Sequence, residues 1–327
     1  MRAVFYEKNG PAREVLKLGE RPTPQPGPGD VRVRIKASGV NPSDVKARRS
    51  GARRPTGFDV TIPHSDGAGV IDAVGPGIDP ARVGQRVWLW NGQWGRPFGT
   101  AAEYIVLGAN RAVPLPDTVS FEVGACLGIP LLTAWRAIHW RPGRAGETLL
   151  VAGGAGAVGQ YAVQLAWRAG YRVIASVSSD EKAAVAMAAG AEATVNYRQE
   201  DLAAAVSRFT GGAGIDRVIE VNLSANAPDY VRYLRHDGLV VVYGSNDWTT
   251  SLPLANWLIH GIELAIFIVY ELPPAIRAQA MAGVQDVLAD PSFQHQIAAR
   301  FPLEQTADAH EAVESGKLIG NVVITVD

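Results

Sequence analysis

The 327-residue chain holds a single cysteine, Cys126, so it can form neither an intrachain disulfide nor a zinc site built on cysteines. It has no excess charge of either sign, the formal net charge being -1, which removes any global bias toward nucleic acid or membrane surfaces. Long apolar runs are missing too. Residues 1–10 carry no signal-like core, and 262–270 is too short to span a bilayer and contains Glu263. A reducing, cytoplasmic setting is the expectation. Internal repeats, low-complexity tracts and disordered linkers are likewise absent, so any partner has to be recognised by local chemistry.

What is present suits folded cores. With 47% hydrophobic and 19% charged residues over this length, two domains are expected. Up to about residue 115, short apolar alternations are separated by glycines and prolines. Residues 31–35 alternate with one wet face, and 69–75, 86–90 and 102–106 repeat the theme, while the proline-rich 22–30 excludes helix or central strand. That is the pattern of an antiparallel, barrel-like β domain. From Ser120 onward strand and helix alternate. Strands are expected at 148–152, 171–177, 193–197, 215–220 and 238–244, a helix at 180–189, and two helical pieces over 122–139 split at Gly128-Ile129-Pro130. Such alternation builds a parallel, doubly wound sheet. A last apolar run at 262–270, a helix at 275–289 and the segment 307–315 lead to a strand at 321–326, expected to return to the first domain. The domain bounds so read are 1–120 with 272–327, and 121–271.

The second domain is organised around residues 147–160. The apolar strand 148–152 runs into Gly154-x-Gly156-x-x-Gly159, then into a helix whose Val158, Ala162, Leu165 and Ala166 share one face. A side chain at these glycines would block the tight turn, the approach of a pyrophosphate or the packing of helix on sheet. The pyrophosphate would sit on main-chain amides at the positive end of the helix. With a strand before it and a helix after it, the motif points to a dinucleotide. Where an NAD-selective fold ends its second strand with Asp or Glu, this chain has Val177-Ser178-Ser179. A carboxylate there would repel the 2′-phosphate of NADP, whereas Ser178 can donate to it, Lys182 can pair with it and Tyr197 can cover the same edge. The expected cofactor is NADPH. Asp180 and Glu181 suit the first turn of the following helix.

Over nearly its whole length the chain resembles the zinc-free, zeta-crystallin-like quinone oxidoreductase branch of the medium-chain dehydrogenase/reductase family. The resemblance is carried by 39–44 (Gly-Val-Asn-Pro-Ser-Asp), 66–71, 84–87, 99–104, 128–134, the glycine loop, Asn196-Tyr197-Arg198 and Tyr243-Gly244-Ser245. It implies an α/β chain: a GroES-like β-barrel catalytic domain plus a doubly wound Rossmann domain with a parallel sheet. It also implies a homodimer and hydride transfer from the nicotinamide C4 in the cleft between the domains. By resemblance, Asn41 and Thr133 lie near the nicotinamide and its ribose, and Gly156, Ala157 and Val158 at the pyrophosphate. Asn222, Gly244 and Ser245 follow the remaining cofactor edge, and 267–269, with Phe267 and Val269, pack on the carboxamide. Asn321 stands where relatives often place a cation near the cofactor. Zinc-dependent relatives have a cysteine at the place of Asn41 and a histidine–glutamate pair at Ser65-Asp66, so no metal is expected. His64, one place early, reads as a structural hydrogen-bonder.

Without a metal to stabilise an alkoxide, reduction of an electron-poor acceptor is favoured over alcohol oxidation. A quinone and an enone present the same kind of carbon to the hydride, and the leading reading is a quinone. Many relatives have tyrosine where this chain has Lys46, within the cationic stretch 46–54. That stretch reads first as a solvated loop. Its functional alternatives are that Lys46 stabilises or protonates the oxyanion left by hydride addition, or that the arginines attract an anionic acceptor. A non-catalytic, RNA-binding role would rest on this stretch alone, which lacks interleaved aromatics, so nucleic acid is not an expected partner. Of Trp88, Trp90, Trp94 and Phe98, at least half are expected in the barrel core and the rest around the acceptor. The run 262–270 looks like an open edge strand that a symmetric partner would cap.

Overall fold

The computed structural model describes residues 1–50, 58–247 and 249–327, in two compact units, 1–130 with 295–327 and 131–294. No helix among the described residues is long and apolar enough to cross a membrane.

The first unit is built on strand Asp30–Val40. Val31, Val33 and Ile35 are fully buried while Arg32 and Arg34 turn outward, and each buried aliphatic contributes about 1.5–3 kcal/mol. This strand pairs antiparallel with Asp66–Val74, Tyr104–Gly108 and Asn321–Thr325, so the C-terminal strand does return to the first domain. Asp66–Val74 continues the sheet through Arg86–Leu89 to Ala112–Pro114. Beyond the sequence reading lie Ala112–Pro114, Lys17–Glu20, paired with Arg2–Phe5, and Ile297–Pro302, parallel to Asn321–Thr325 at the sheet end. The last two are short and lack a clear apolar alternation, with Gly19 inside Lys17–Glu20 and Arg300 and Pro302 inside Ile297–Pro302. Trp88 is fully buried and Phe98 is 46% exposed, with Trp90 and Trp94 half-buried between these extremes.

The basic stretch departs from expectation. Its first part is not a solvated loop but the end of helix Pro42–Ser50. Arg48 is fully buried, donating to the Gly10 carbonyl and pairing with Glu314 at 2.5 Å. Asn9 Nδ2 closes the helix by donating to the Ala47 and Arg48 carbonyls, both at 2.9 Å. A guanidinium with a carboxylate and a carbonyl to meet it can be buried, and charge patterning does not reveal partners so distant in sequence. Arg53 and Arg54 lie outside the described residues.

In the second unit six strands lie side by side in the order Ala193–Asn196, Arg172–Val177, Thr148–Val151, Ile215–Glu220, Leu234–Val242 and Glu263–Ile266. Every pairing is parallel. The chain starts at the third position, winds outward one way, then crosses back, which puts the switch point between Thr148–Val151 and Ile215–Glu220. Ligands of such sheets bind at the carboxyl ends beside that point. The unit ends later than the sequence suggests. Helix Pro274–Leu288 belongs with it, because a Cβ on Gly283 would come within 2.0 Å of the Trp135 indole nitrogen and Arg277 donates to the Val269 and Tyr270 carbonyls at 2.8 and 3.0 Å. At the other border, Gly128-Ile129-Pro130 does lie between two α-helices, Phe121–Gly124 and Leu132–Ile138. A π turn over Leu127–Leu131 carries the winding into Leu132–Ile138, and its wider bonding tolerates the missing proline N–H.

Candidate functional site

The glycine loop leaves strand Thr148–Val151 and enters helix Gly159–Arg168. Its glycines have different causes. Gly153 has φ 69°, a left-handed value that a glycine adopts freely. A Cβ on Gly154 would meet the Ala175 Cβ at 2.6 Å, and one on Gly159 would meet the Gly153 carbonyl oxygen at 2.1 Å. Both are demanded by the protein itself. Gly156 is not: its Cβ would come no nearer than 3.3 Å to any neighbour, the Gly153 oxygen. A Cβ at Gly156 would thus press slightly on one backbone oxygen and meet no other neighbour within 4 Å, far less than at Gly154 or Gly159. Beside it the amides of Ala157 and Val158 take no hydrogen-bond partner among the described residues. An open backbone with unpaired donors before a helix of this length fits a pyrophosphate.

The second strand ends at Val177, and the two serines divide the work. Ser179 caps helix Asp180–Ala188, accepting from the Lys182 amide at 3.3 Å. Ser178 remains half-exposed beside it. Lys182 is partly buried, and its ammonium pKa is lowered, first by burial and then by the positive charge of Arg198. Arg198 is the residue that sequence reasoning passed over, although it stands next to Tyr197. Its main-chain amide donates to Asn196 Oδ1 at 3.2 Å, which holds the turn. Tyr197 is 53% exposed. Lys182 and Arg198 thus repel one another in a turn whose strand ends without a carboxylate, a charge balance that an anion would relieve.

At the switch point the loops after Ile215–Glu220 and Leu234–Val242 are stitched together. Leu223 N–H donates to the Gly244 carbonyl at 3.4 Å and Ser224 N–H to Ser245 Oγ at 3.2 Å. A Cβ on Gly244 would lie 2.7 Å from the Val221 oxygen. Asn222, Gly244 and Ser245 are thus brought to one place. Thr133 is buried on helix Leu132–Ile138, Phe267 packs 6.0 Å from Trp140, and Val269 is buried after the last strand.

In the barrel unit Asn41 is held by two buried carboxyl groups. Its amide N–H donates to Asp44 Oδ2 and its Nδ2 to Asp66 Oδ2, both at 2.9 Å, and Ile129 N–H joins Asp66 Oδ2 at 3.0 Å. Burial, and then the charge of Asp44, pushes the Asp66 carboxyl well above the usual range, against the pull of the Asn41 and Ile129 hydrogen bonds. His64 is a hydrogen-bonder at both nitrogens, Nδ1 to Ser38 Oγ at 2.8 Å and Nε2 to His310 Nε2 at 2.9 Å. Lys46 sits half-buried on the helix that begins directly after Asn41. Asn321 donates through Nδ2 to the Gln296 carbonyl at 3.1 Å at the start of its strand.

Comparison with known proteins agrees with both units. The alcohol dehydrogenase GroES-like domain family matches residues 27–117 and the zinc-binding dehydrogenase family matches 157–285. The quinone oxidoreductase of Rattus norvegicus is 31% identical over 326 residues, covering 97% of this chain and 96% of that protein. The chain belongs to the quinone oxidoreductase branch of the medium-chain dehydrogenase/reductase family. A 2-haloacrylate reductase of a Burkholderia species is 28% identical over 99% of this chain and 98% of that one. The structure of Escherichia coli quinone oxidoreductase complexed with NADPH superposes with a TM-score of 0.90 at 25% identity, covering 99% of this chain and 100% of the other.

Asn41 and Ser65-Asp66, where the resemblance puts the zinc positions of metal-dependent relatives, do not present an open donor set for a zinc ion. Asn41 and Asp66 bond to each other, and both His64 nitrogens face other side chains. Cys126, the one thiol, is pushed up by burial and by the Asp66 charge, far from forming a thiolate. No three His, Cys, Asp or Glu side chains among the described residues form a group that could hold a metal ion.

Proposed function

We propose that this medium-chain reductase uses NADPH to reduce quinones by hydride transfer from the nicotinamide C4, with neither metal nor flavin. The observation that carries the reading is the Ser178, Lys182 and Arg198 cluster at a strand end without a carboxylate, in a chain whose relatives are named quinone oxidoreductase. Bound NADPH supplies two electrons as hydride. The chain supplies amides for the pyrophosphate at Ala157 and Val158, cations for the 2′-phosphate, and a dry, hydrogen-bonded seat around Asn41. Lys46 is the group proposed to donate a proton to the acceptor oxygen, completing the two-electron reduction to the hydroquinone. The setting proposed is cytoplasmic.

A second reading, reduction of the carbon–carbon double bond of an enone or 2-alkenal, is favoured by the likeness to the 2-haloacrylate reductase. Mixing the NADPH complex with 1,4-benzoquinone and with an enone in a stopped-flow instrument separates the two. Faster oxidation by the quinone is expected, and turnover of the enone alone would overturn the first reading. The enzyme is also proposed to act as a homodimer. Strand Glu263–Ile266 is the outermost of its sheet, and Leu258, Ile259 and Ile266 beside it are 72%, 71% and 62% exposed. Sedimentation should report a dimer, and Ile266→Asp should shift it toward monomer.

A further inference from the structure

Four fully buried side chains of the barrel unit, Ser38, His64, Thr100 and His310, form one unbroken row. Thr100 Oγ1 bonds to the Asp66 main-chain carbonyl, and 2.8 Å away it meets Ser38 Oγ. Ser38 Oγ in turn meets His64 Nδ1 at 2.8 Å, and His64 Nε2 meets His310 Nε2 at 2.9 Å. A carbonyl only accepts and a hydroxyl has one proton to give, so the direction of every bond follows from the Asp66 end. Thr100 spends its proton on Asp66, and Ser38 must donate to Thr100. Ser38 then has none left for His64, whose Nδ1 must carry the N–H. In the neutral ring His64 Nε2 is therefore a lone pair, and His310 donates to it from Nε2. His310 Nδ1 is left as a bare acceptor, buried without a partner among the described residues. A cationic His64 would satisfy the same distances with His310 as acceptor. It would, however, bury a charge away from water and set an N–H on His310 Nδ1 with nothing to meet it, a rarer event than an unmet acceptor.

The row braces a strained segment. His64 has φ 77°, a left-handed value that a residue with a side chain seldom takes. Its carbonyl accepts from the Thr100 amide at 3.0 Å, and the Pro63 carbonyl accepts from the Ala101 amide at 3.2 Å. Thr100 thus grips the segment twice, at the His64 carbonyl with its main chain and at the Asp66 carbonyl with its hydroxyl. Asp66 is the residue whose Oδ2 holds Asn41 Nδ2 at 2.9 Å. We propose that Thr100 and His310 are positioning residues, the two ends of a one-way hydrogen-bonded row that holds residues 64–66 and, through Asp66, the seat of Asn41. His310 brings into that task helix Thr306–Glu314, whose sequence gives no sign of a link to the site. The positioning role rests on the reading that Asn41 serves reduction of the acceptor, whereas the direction of the row does not.

The direction is tested on the wild-type protein by 15N NMR of the imidazole rings, with the six histidines assigned by single substitutions. At neutral pH His64 should appear as the neutral Nδ1–H form and His310 as the neutral Nε2–H form. Either ring in the opposite form, or His64 as an imidazolium, overturns the row. Thr100→Val removes the group that sets the direction, so His64 should lose its single form, while Thr100→Ser should retain it. A single Nδ1–H form persisting in Thr100→Val overturns the role of Thr100. For positioning, kcat/KM for 1,4-benzoquinone should fall about tenfold in Thr100→Val and in His310→Leu, the size of one lost buried hydrogen bond, with NADPH affinity unchanged. Thr100→Ser and His310→Gln, which keep a donor, should recover most of the loss. Unchanged turnover in the two apolar variants, or no recovery in the two conservative ones, overturns positioning. Should an apolar variant fail to fold, the ring forms of the wild type and the turnover of the conservative variants still decide. If the wild-type protein reduces no quinone, the proposed function falls and the positioning role with it, while the ring forms still decide the row.

Discussion

In the Rossmann unit the polar groups without a partner among the described residues include main-chain ones, the amides of Ala157 and Val158 beside Gly156. In the barrel unit the polar groups are buried side chains already paired, with Asn41 held between Asp44 and Asp66, and His64 bonded to Ser38 and His310. The difference matters because a main-chain site needs only the absence of side chains at a few spacings. A side-chain site needs partners from strands and helices far apart in sequence. His310 is 246 residues from His64, and nothing local to either marks the pair.

The sharpest way to break this comparison is to add one methyl group in the glycine loop. Gly159→Ala forces a Cβ toward the Gly153 oxygen at 2.1 Å and should both abolish NADPH binding and destabilise the fold by about 3 kcal/mol. Gly156→Ala, whose Cβ would meet only the Gly153 oxygen at 3.3 Å, should cost far less, about 1 kcal/mol, while still impairing NADPH binding. Unfolding curves and titrations on the two variants decide it. If Gly156→Ala binds NADPH normally, the open backbone is not the pyrophosphate seat.

A smaller effect is expected at the phosphate edge. Lys182→Ala and Arg198→Ala should each weaken NADPH about tenfold, the loss of one charge-assisted bond, and leave NADH nearly unchanged. Parallel titrations with both cofactors measure this, and equal losses for NADH would move the two cations out of the 2′-phosphate site.

The smallest effects belong to the barrel unit and have opposite signs with pH. Burial, then the neighbouring His64 and Arg48, holds His310 well below the ordinary histidine value of 6.5. The unfolded chain therefore takes up that proton first, and the stability His310 contributes is full above pH 6.5 and lost as pH falls below it. Asp66 runs the other way. Its carboxyl is raised above its ordinary 3.8, so its contribution is present below that pH and is lost as pH rises toward its folded value. Asp66→Asn should therefore raise the melting temperature at neutral pH, and His310→Asn should flatten the acid limb. Melting temperatures from pH 4 to 8 for the three proteins test both signs; an unchanged acid limb in His310→Asn would place the neutral imidazole elsewhere.

Legibility followed the range of the interactions. The glycine motif, the missing acid after the second strand and the return of the last strand were visible because each depends on neighbours in sequence or on a short apolar period. Arg198 was hidden because a cation after an exposed tyrosine looks like any surface residue until Lys182 is placed near it. Lys46 and Arg48 looked alike in a cationic run, yet Arg48 is fully buried against Glu314, on another helix. Glu220 read as one more strand residue, although it is buried and accepts from Asn226 and Tyr230.

By itself, then, the sequence determined the alternation of strand and helix, the glycine turn and the absence of a carboxylate after the second strand, since these are matters of local sterics, period and charge. Only the tertiary structure decided which polar groups lose their water and what replaces it: Asp66 with Asn41, His64 with His310, Arg48 with Glu314, and Glu220 with Asn226 and Tyr230. Burial and partnership are properties of the packed chain, and a residue's identity fixes neither until distant segments have met.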